Sequence, residues 1–292
     1  MFREGLLKGK RILVTGGGTG LGREMASKYL ELGADVYICG RRKTVLEQTA
    51  TELTSAHGGS VKCHVADIRD AAAVDTMVQA IWDDGGPLTG LLNNAAGNFI
   101  SRTEDLSSRG FDAIADTVFH GTFYVTHAVG RRWIAGKDKG SIVSVVVTWV
   151  WTGSPFVVPS AMSKAGVHVM TQSLAVEWGR YGIRLNAIAP GIFPTEGAGK
   201  RLAPGRDFRA EAVAANPMRR TGKMQELQNL AAFLMADGAE FLTGQTIAID
   251  GGANLVNGGS FNELFEWSDA DWAKAREAIK AQNDKDKAQR ST

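Results

Sequence analysis

The segment TGGGTGLG, residues 15–22, follows directly on the apolar run RILVTG (11–16) and opens a helical stretch. A strand that ends in closely spaced glycines and continues as a helix leaves few options, because it must start a strand–helix–strand unit. Gly16, Gly20 and Gly22 permit a tight turn, close approach of a pyrophosphate to backbone N–H groups, and close helix packing. Gly18, Thr19 and Leu21 complete the same cradle. Six further apolar runs follow, ADVYICG (34–40), VKCHVAD (61–67), GLLNNAAG (90–97), SIVSVVV (141–147), RLNAIAP (184–190) and QTIAIDGG (245–252). They are apolar on both faces, as parallel strands between two helix layers must be. The segments between them are long enough for the crossover helices that parallel pairing requires.

These seven units predict an α/β fold: a Rossmann-type doubly wound seven-stranded parallel sheet with helices on both faces. Ligands are expected outside the carboxyl ends of the strands. No composition break divides residues 1–292, so the reading is a single domain. Two regions depart from the alternation. Residues 191–223 are rich in Gly, Pro and Arg and fit a substrate-covering insertion, and residues 253–292 form a C-terminal extension. Within the extension, SDADWAKAREAIKAQ (268–282) predicts a helix with Trp272, Ala275 and Ile279 on one face.

A net charge of +2 gives no bulk attraction to nucleic acid or to a membrane surface. The start MFREGLLKGK lacks a signal-peptide pattern and no later run predicts a membrane span, so a cytoplasmic location is expected. Cys39 and Cys63 lie in strand-like runs and read as small buried hydrophobes. The five histidines show no ligand spacing, and no metal site is expected.

Arg41 and Arg42 stand at the end of the second strand, where an acidic residue would hold a free ribose hydroxyl. Arginine there suits a 2′-phosphate, which favours NADP(H), although both also read as solvated charges at a helix start. Asp67, followed by Ile68, ends the third strand, placed to accept from an adenine amino group. Asn94, Ala95 and Gly97 in NNAAG end the fourth, where small residues let a cofactor lie across the sheet edge.

The ordered set TGxxxGxG, NNAAG, a lysine on a long helix and PGIFPT (190–195) resembles the short-chain dehydrogenase/reductase superfamily, from about Gly9 to Gly252. The resemblance implies that Pro190, Gly191, Ile192 and Thr195 contact the nicotinamide half and that Lys164 bonds its ribose. Most members carry Tyr-x-x-x-Lys, with the lysine charge lowering the tyrosine pKa for proton transfer. This chain has Ser160 at the tyrosine place, no tyrosine between Val125 and Arg180, and Val147 at the usual catalytic serine.

One subgroup shares these departures. NNAAGNFI (93–100), FVVPSA-x-x-KAG (156–166), EWG-x-YGIRLN (177–186), TEGA (195–198) and GG-x-FN-x-L (258–264) resemble the 2,4-dienoyl-CoA reductases. The subgroup implies NADPH-dependent reduction of a dienoyl thioester to a trans-3-enoyl-CoA during oxidation of unsaturated fatty acids. Hydride adds to the far carbon of the diene, so the protein must supply donors to the thioester oxygen rather than an acid on a carbonyl. The resemblance implies Asn98, Ser160 and Lys164 as catalytic residues. It places Arg69, Phe99, Ser107 and Arg201 against the acyl-CoA, the arginines suiting its phosphates.

The subgroup's active-site tyrosine is replaced by Trp149, which offers one indole donor and no titratable proton. Trp149 and Asn98 are expected to form the oxyanion site, with water held by Ser160 or Lys164 as proton source. Trp149 and Trp151 read equally as apolar packing over the cofactor. His120 lies on the helix that often carries an active-site asparagine, one turn after Asp116, and Val118 occupies the place where a peroxisomal group uses an acid. The family further implies a homo-oligomer, a tetramer, through the helices around 106–136 and 160–181. Two other readings remain: a carbonyl reductase on a different substrate, and a cofactor-binding protein without catalysis.

Overall fold

Every strand of the sheet runs the same way, so the carboxyl ends of all seven face one edge of the molecule. The computed structural model describes residues 1–195, 208–256, 264 and 266–278. The strands are β1 Arg11–Thr15, β2 Asp35–Gly40, β3 Val61–Val65, β4 Gly90–Asn93, β5 Gly140–Val145, β6 Ile183–Pro190 and β7 Thr246–Ile249. Their spatial order is β3-β2-β1-β4-β5-β6-β7, which reverses direction between β1 and β4. The predicted doubly wound parallel sheet is the observed one, with strand ends within a few residues of expectation.

The helices connecting the strands are α1 Gly20–Glu31, α2 Lys43–His57, α3 Ala71–Asp83, α4 Ser108–Ala115, α5 Gly121–Gly136, α6 Trp149–Thr152, α7 Val158–Trp178, α8 Phe208–Ala215 and α9 Met224–Met235. Alternate side chains along each strand enter two different cores. Ile12, Val14, Val36, Ile38, Val143 and Ile188 pack against α1, α2 and α9. Leu13, Tyr37, Leu91, Ile142 and Leu185 pack against α3, α5 and α7 on the opposite face. Two-sided burial explains why these runs carry no polar stripe.

Local signals set the helix ends. The Asp70 carboxylate accepts from the N–H groups of Ala72 and Ala73 at the start of α3, and the Ser107 hydroxyl accepts from Gly110 at the start of α4. The Glu226 carboxylate accepts from the Lys223 N–H before α9. Between α4 and α5 the helix widens to a π turn, Asp116–His120.

Residues 1–254 form one compact unit and residues 255–292 a second. In the second, the Ser268 hydroxyl and Asp271 carboxylate cap a helix over 269–278, and Trp267 meets Trp272 edge-on at 5.0 Å between ring centres. Among the described residues no helix is long and apolar enough to cross a membrane. Cys39 points to the α3/α5 core and Cys63 toward the α1/α2 core, so the two thiols lie on opposite faces of the sheet.

Trp133 is the largest fully buried side chain, and its indole donates to the Leu88 carbonyl at 2.6 Å. Its ring lies where a side chain on Gly140 would have to go, 2.4 Å from the position of a Cβ. Trp133→Ala should lower unfolding free energy by about 3–5 kcal/mol, read as a reduced urea midpoint with an unchanged slope.

Candidate active site

The glycine turn between β1 and α1 is built for close approach. Gly16 and Gly20 have φ of +66° and +57°, a region that costs other residues strain. At Gly20 an added Cβ would meet nothing within 4 Å, so its conformation, not crowding, selects glycine and leaves open space above the turn. Gly22 is selected by space, since a Cβ there would fall 2.4 Å from the Asn94 amide and 2.6 Å from the Gly16 carbonyl. Thr19 is extended and offers α1 no side-chain cap, which leaves first-turn N–H groups for an anion. These features fit a pyrophosphate.

The turn is tied to the loop after β4. The Thr15 hydroxyl accepts from the N–H groups of Asn94 at 2.9 Å and Ala95 at 3.0 Å. The Asn94 side chain donates back to the Thr15 carbonyl at 3.1 Å. Asn94 thus shapes the crevice, and Gly97 lies beside Ile114 of α4. On the other side, Gly191 has no room for a side chain, with Asp250 backbone 2.8 Å from a Cβ position. The Ile192 carbonyl accepts from Gly222, and the Phe193 ring covers Gly222, so the 190–195 loop rests on the segment before α9. Thr195 is the last described residue of that loop, and Arg201 lies outside the described residues.

Asp67 is engaged by Arg69. The guanidinium bonds both carboxylate oxygens, at 2.6 to 3.0 Å, and the Arg69 N–H adds a fourth contact. This pairing holds the Asp67 carboxyl below the usual range, helped by Arg41 nearby. A donor from adenine would share or displace that arginine. Arg41 is exposed, and Arg42, at the start of α2, offers no side-chain cap. Ile68 is buried against Gly121 of α5.

At the chemical end, α7 carries Ser160 and Lys164 one turn apart, both buried. The Lys164 amine donates to the Val145 carbonyl at the end of β5, at 2.5 Å. Burial pushes this amine from 10.5 down to about 8. None of the four tyrosines is bonded to it: Tyr29 is on α1, Tyr37 on β2, Tyr124 on α5 and Tyr181 just beyond α7.

Asn98 accepts from the Phe99 N–H through its side-chain oxygen, leaving its amide donors unpartnered among the described residues. The Ser160 hydroxyl and the half-buried Trp149 indole also have no partner there. Ser160 and Lys164 share α7, Asn98 follows β4 and Trp149 follows β5, so all four belong to elements that leave the carboxyl ends of the strands.

Trp149 starts the short helix α6, and the Ser107 hydroxyl accepts from the Gly110 N–H in capping α4. Phe99 packs beside Gly110 of the same helix. His120 is half exposed and bonds Asp116 at 3.1 Å, while Val118 is fully buried in the π turn. Phe156, which opens FVVPSA, adopts φ +64°, and its carbonyl accepts from Ser101 at 2.9 Å. That bond joins the Asn98 loop to the segment before Ser160. Among the described residues no cluster of three metal-ligating side chains occurs.

Lys164 links the site to stability. The unfolded amine binds its proton up to about pH 10.5 and the folded one only to about pH 8. Between these values the unfolded chain holds the extra proton, so native stability rises with pH, and below pH 8 the full penalty applies, of order 3 kcal/mol. Lys164→Met should be more stable than wild type at pH 7 by about 2 kcal/mol, after about 1 kcal/mol is lost with the Val145 hydrogen bond. Urea denaturation from pH 7 to 10.5 should show that gap closing.

A family model described as enoyl-(acyl carrier protein) reductase matches residues 16–254. A Caenorhabditis elegans protein named as a probable (3E)-enoyl-CoA-producing 2,4-dienoyl-CoA reductase is 43% identical over 99% of this chain and 95% of its own. A Bacillus subtilis protein named as a probable (2E)-enoyl-CoA-producing 2,4-dienoyl-CoA reductase is 40% identical over 83% of this chain and 96% of its own. Among solved structures, a gluconate 5-dehydrogenase from Burkholderia cenocepacia in complex with NADP and tartrate is 29% identical with a TM-score of 0.79, over 85% of this chain and 96% of that one. With its parallel sheet, glycine turn and buried lysine, the chain belongs to the short-chain dehydrogenase/reductase superfamily, as an oxidoreductase with a nicotinamide-cofactor fold and a likeness to 2,4-dienoyl-CoA reductases.

Proposed function

We propose that the protein is an NADPH-dependent reductase of 2,4-dienoyl-CoA thioesters in the oxidation of unsaturated fatty acids. The observation that carries this reading is the buried Lys164 amine, bonded to Val145 and to no tyrosine, in a chain where, among the described residues, the Asn98 amide, the Ser160 hydroxyl and the Trp149 indole have no partner. Carbonyl reduction needs a proton delivered to oxygen, whereas a conjugated thioester needs its oxygen stabilised while carbon is protonated. The names of the relatives, at 40–43% identity, agree with the second chemistry.

In this reading Arg41 and Arg42 hold the 2′-phosphate, the first turn of α1 holds the pyrophosphate, and Asp67 meets the adenine. Pro190, Gly191, Ile192 and Thr195 orient the nicotinamide half. When bound, the nicotinamide supplies a hydride to the far carbon of the diene. The Asn98 amide and the Trp149 indole N–H donate to the thioester oxygen as negative charge gathers there. Lys164, with an amine poised near neutrality, keeps a protonated group beside Ser160 and holds the water that protonates carbon. Arg69 and Arg201 meet the CoA phosphates, and Phe99 and Ser107 line the acyl path.

Oligomerisation belongs to the same proposal. Phe123, Met162, Val169 and Val176 are exposed apolar side chains on α5 and α7, and burying them against a second copy would remove that surface from water. Val176 is 87% exposed. Val176→Asp should reduce the molar mass in light scattering while leaving the circular dichroism spectrum unchanged.

The test of function is oxidation of NADPH and NADH with dienoyl-, enoyl- and ketoacyl-CoA substrates, with identification of the product double bond. Dienoyl-CoA reduction with NADPH preferred is the expected result, and turnover of ketones alone would replace it with carbonyl reduction. Trp149→Phe should lower kcat about 10- to 100-fold at unchanged KM for NADPH, since it deletes one oxyanion donor and keeps the aromatic bulk. Full activity in that variant would remove the indole from the mechanism.

A further inference from the structure

The helix α6, Trp149–Thr152, is a single turn laid between β5 and α7, and it has few means of holding its place. None of its residues is buried, no side chain caps its start, and it ends at Gly153 with φ +69°. An isolated turn of this length has no stability of its own. Its backbone bonds are local: Val150 donates to Val147, Trp151 to Thr148 and Gly153 to Trp149.

Two side chains attach it to the rest of the unit. Val150 packs on a small cluster formed by Val146, Val167, Ala187 and Ala189. Trp151 meets the ring of His168 edge-on, with centroids 6.3 Å apart and planes at 74°. His168 is itself fixed, because its Nδ1 bonds the Thr246 hydroxyl of β7 at 2.8 Å. Burial lowers the His168 pKa, which favours the neutral ring that makes both contacts. His168 lies four residues after Lys164 on α7, so the two project from the same side of that helix. One turn of α7 thus binds the end of β5 through Lys164, and the next turn binds β7 and α6 through His168.

We propose that His168 is a positioning residue: held by Thr246, it docks Trp151 and so fixes α6 with the Trp149 indole over the reacting thioester. The kinetic part rests on the role assigned above to Trp149, whereas the docking itself does not. Valine at 150 supplies apolar contact with no directional preference, so it cannot set the rotation of the turn. An edge-to-face ring contact is directional, and Trp149 lies only two residues from Trp151.

The test combines hydrogen exchange with kinetics on the full chain. In His168→Ala, the peptide covering residues 147–154 should exchange about ten-fold faster while the β1–β4 peptides stay unchanged. Thr246→Val should show a smaller increase, and His168→Phe, which keeps a ring, should restore part of the protection. With NADPH and a dienoyl-CoA, His168→Ala should lower kcat about five-fold or more with KM for NADPH held within about two-fold. In the Trp149→Phe background the same change should have no further effect on kcat, because the group being positioned is gone. Unchanged exchange in 147–154, or kcat effects of the two substitutions that multiply, would overturn the proposal. If His168→Ala fails to fold, His168→Phe and Thr246→Val carry the same comparison. Absence of dienoyl-CoA reduction by wild type would defeat the functional reading, and the exchange measurement would still decide the docking.

Discussion

The Thr15 hydroxyl accepts two consecutive backbone N–H groups, from Asn94 and Ala95, across the crevice where strand order reverses. Much of the site depends on this small clamp. It fixes how far the end of β1 stands from the loop after β4, and the Asn94 side chain reaches back to the same turn. Because Gly22 then has no room for a Cβ, α1 is drawn directly against that amide. A side chain at Gly22 would push the helix start away from the strand edge and misplace the N–H groups that meet an anion. The cofactor end is therefore specified by hydrogen bonds between loops more than by the strands themselves.

The chemical end follows a different logic. Lys164 is an ionisable group placed where water has little access, and its depressed pKa is the direct expression of that placement. One turn before it on α7 stands a serine hydroxyl, and no tyrosine is bonded to the amine. In the proposed reaction such a site would stabilise negative charge through dipoles fixed in advance and leave proton delivery to a mobile species. The arrangement suits a reaction in which the acceptor oxygen needs charge stabilisation and the proton goes elsewhere.

Much of this was legible in the sequence for physical reasons that particular residues make plain. Runs such as RILVTG and SIVSVVV are apolar on both faces, and only a covered parallel sheet satisfies them, so strand positions and topology were readable. Gly16 and Gly22 announce a turn and a close helix approach that any backbone of this kind needs. What stayed hidden depends on tertiary contact. Nothing in the order Asp67-Ile68-Arg69 says that the arginine folds back on the aspartate, because the pairing is a choice of side-chain rotamer. Nothing in TWVWTG marks a helical turn, since its residues favour extended structure and the turn is held from outside, by Val167 and His168. His168 showed no ligand spacing and was invisible as a contact, because its partners Trp151 and Thr246 lie on other elements.

The widened π turn at Asp116–His120 has a meaning that reaches beyond its own five residues. An added residue advances the phase of everything after it by about 100°. Before the turn, α4 buries Ile114, which touches Gly97 beside the crevice. After it, α5 sends Val125, Val129 and Trp133 into the sheet and Phe123 outward to solvent. The turn acts as a rotary coupling on one continuous shaft, letting a single rod serve as wall of the crevice at one end and as outer skin at the other. Without the wider turn, the same residues wound as an uninterrupted α-helix would present the downstream half about 100° away from the faces it now buries.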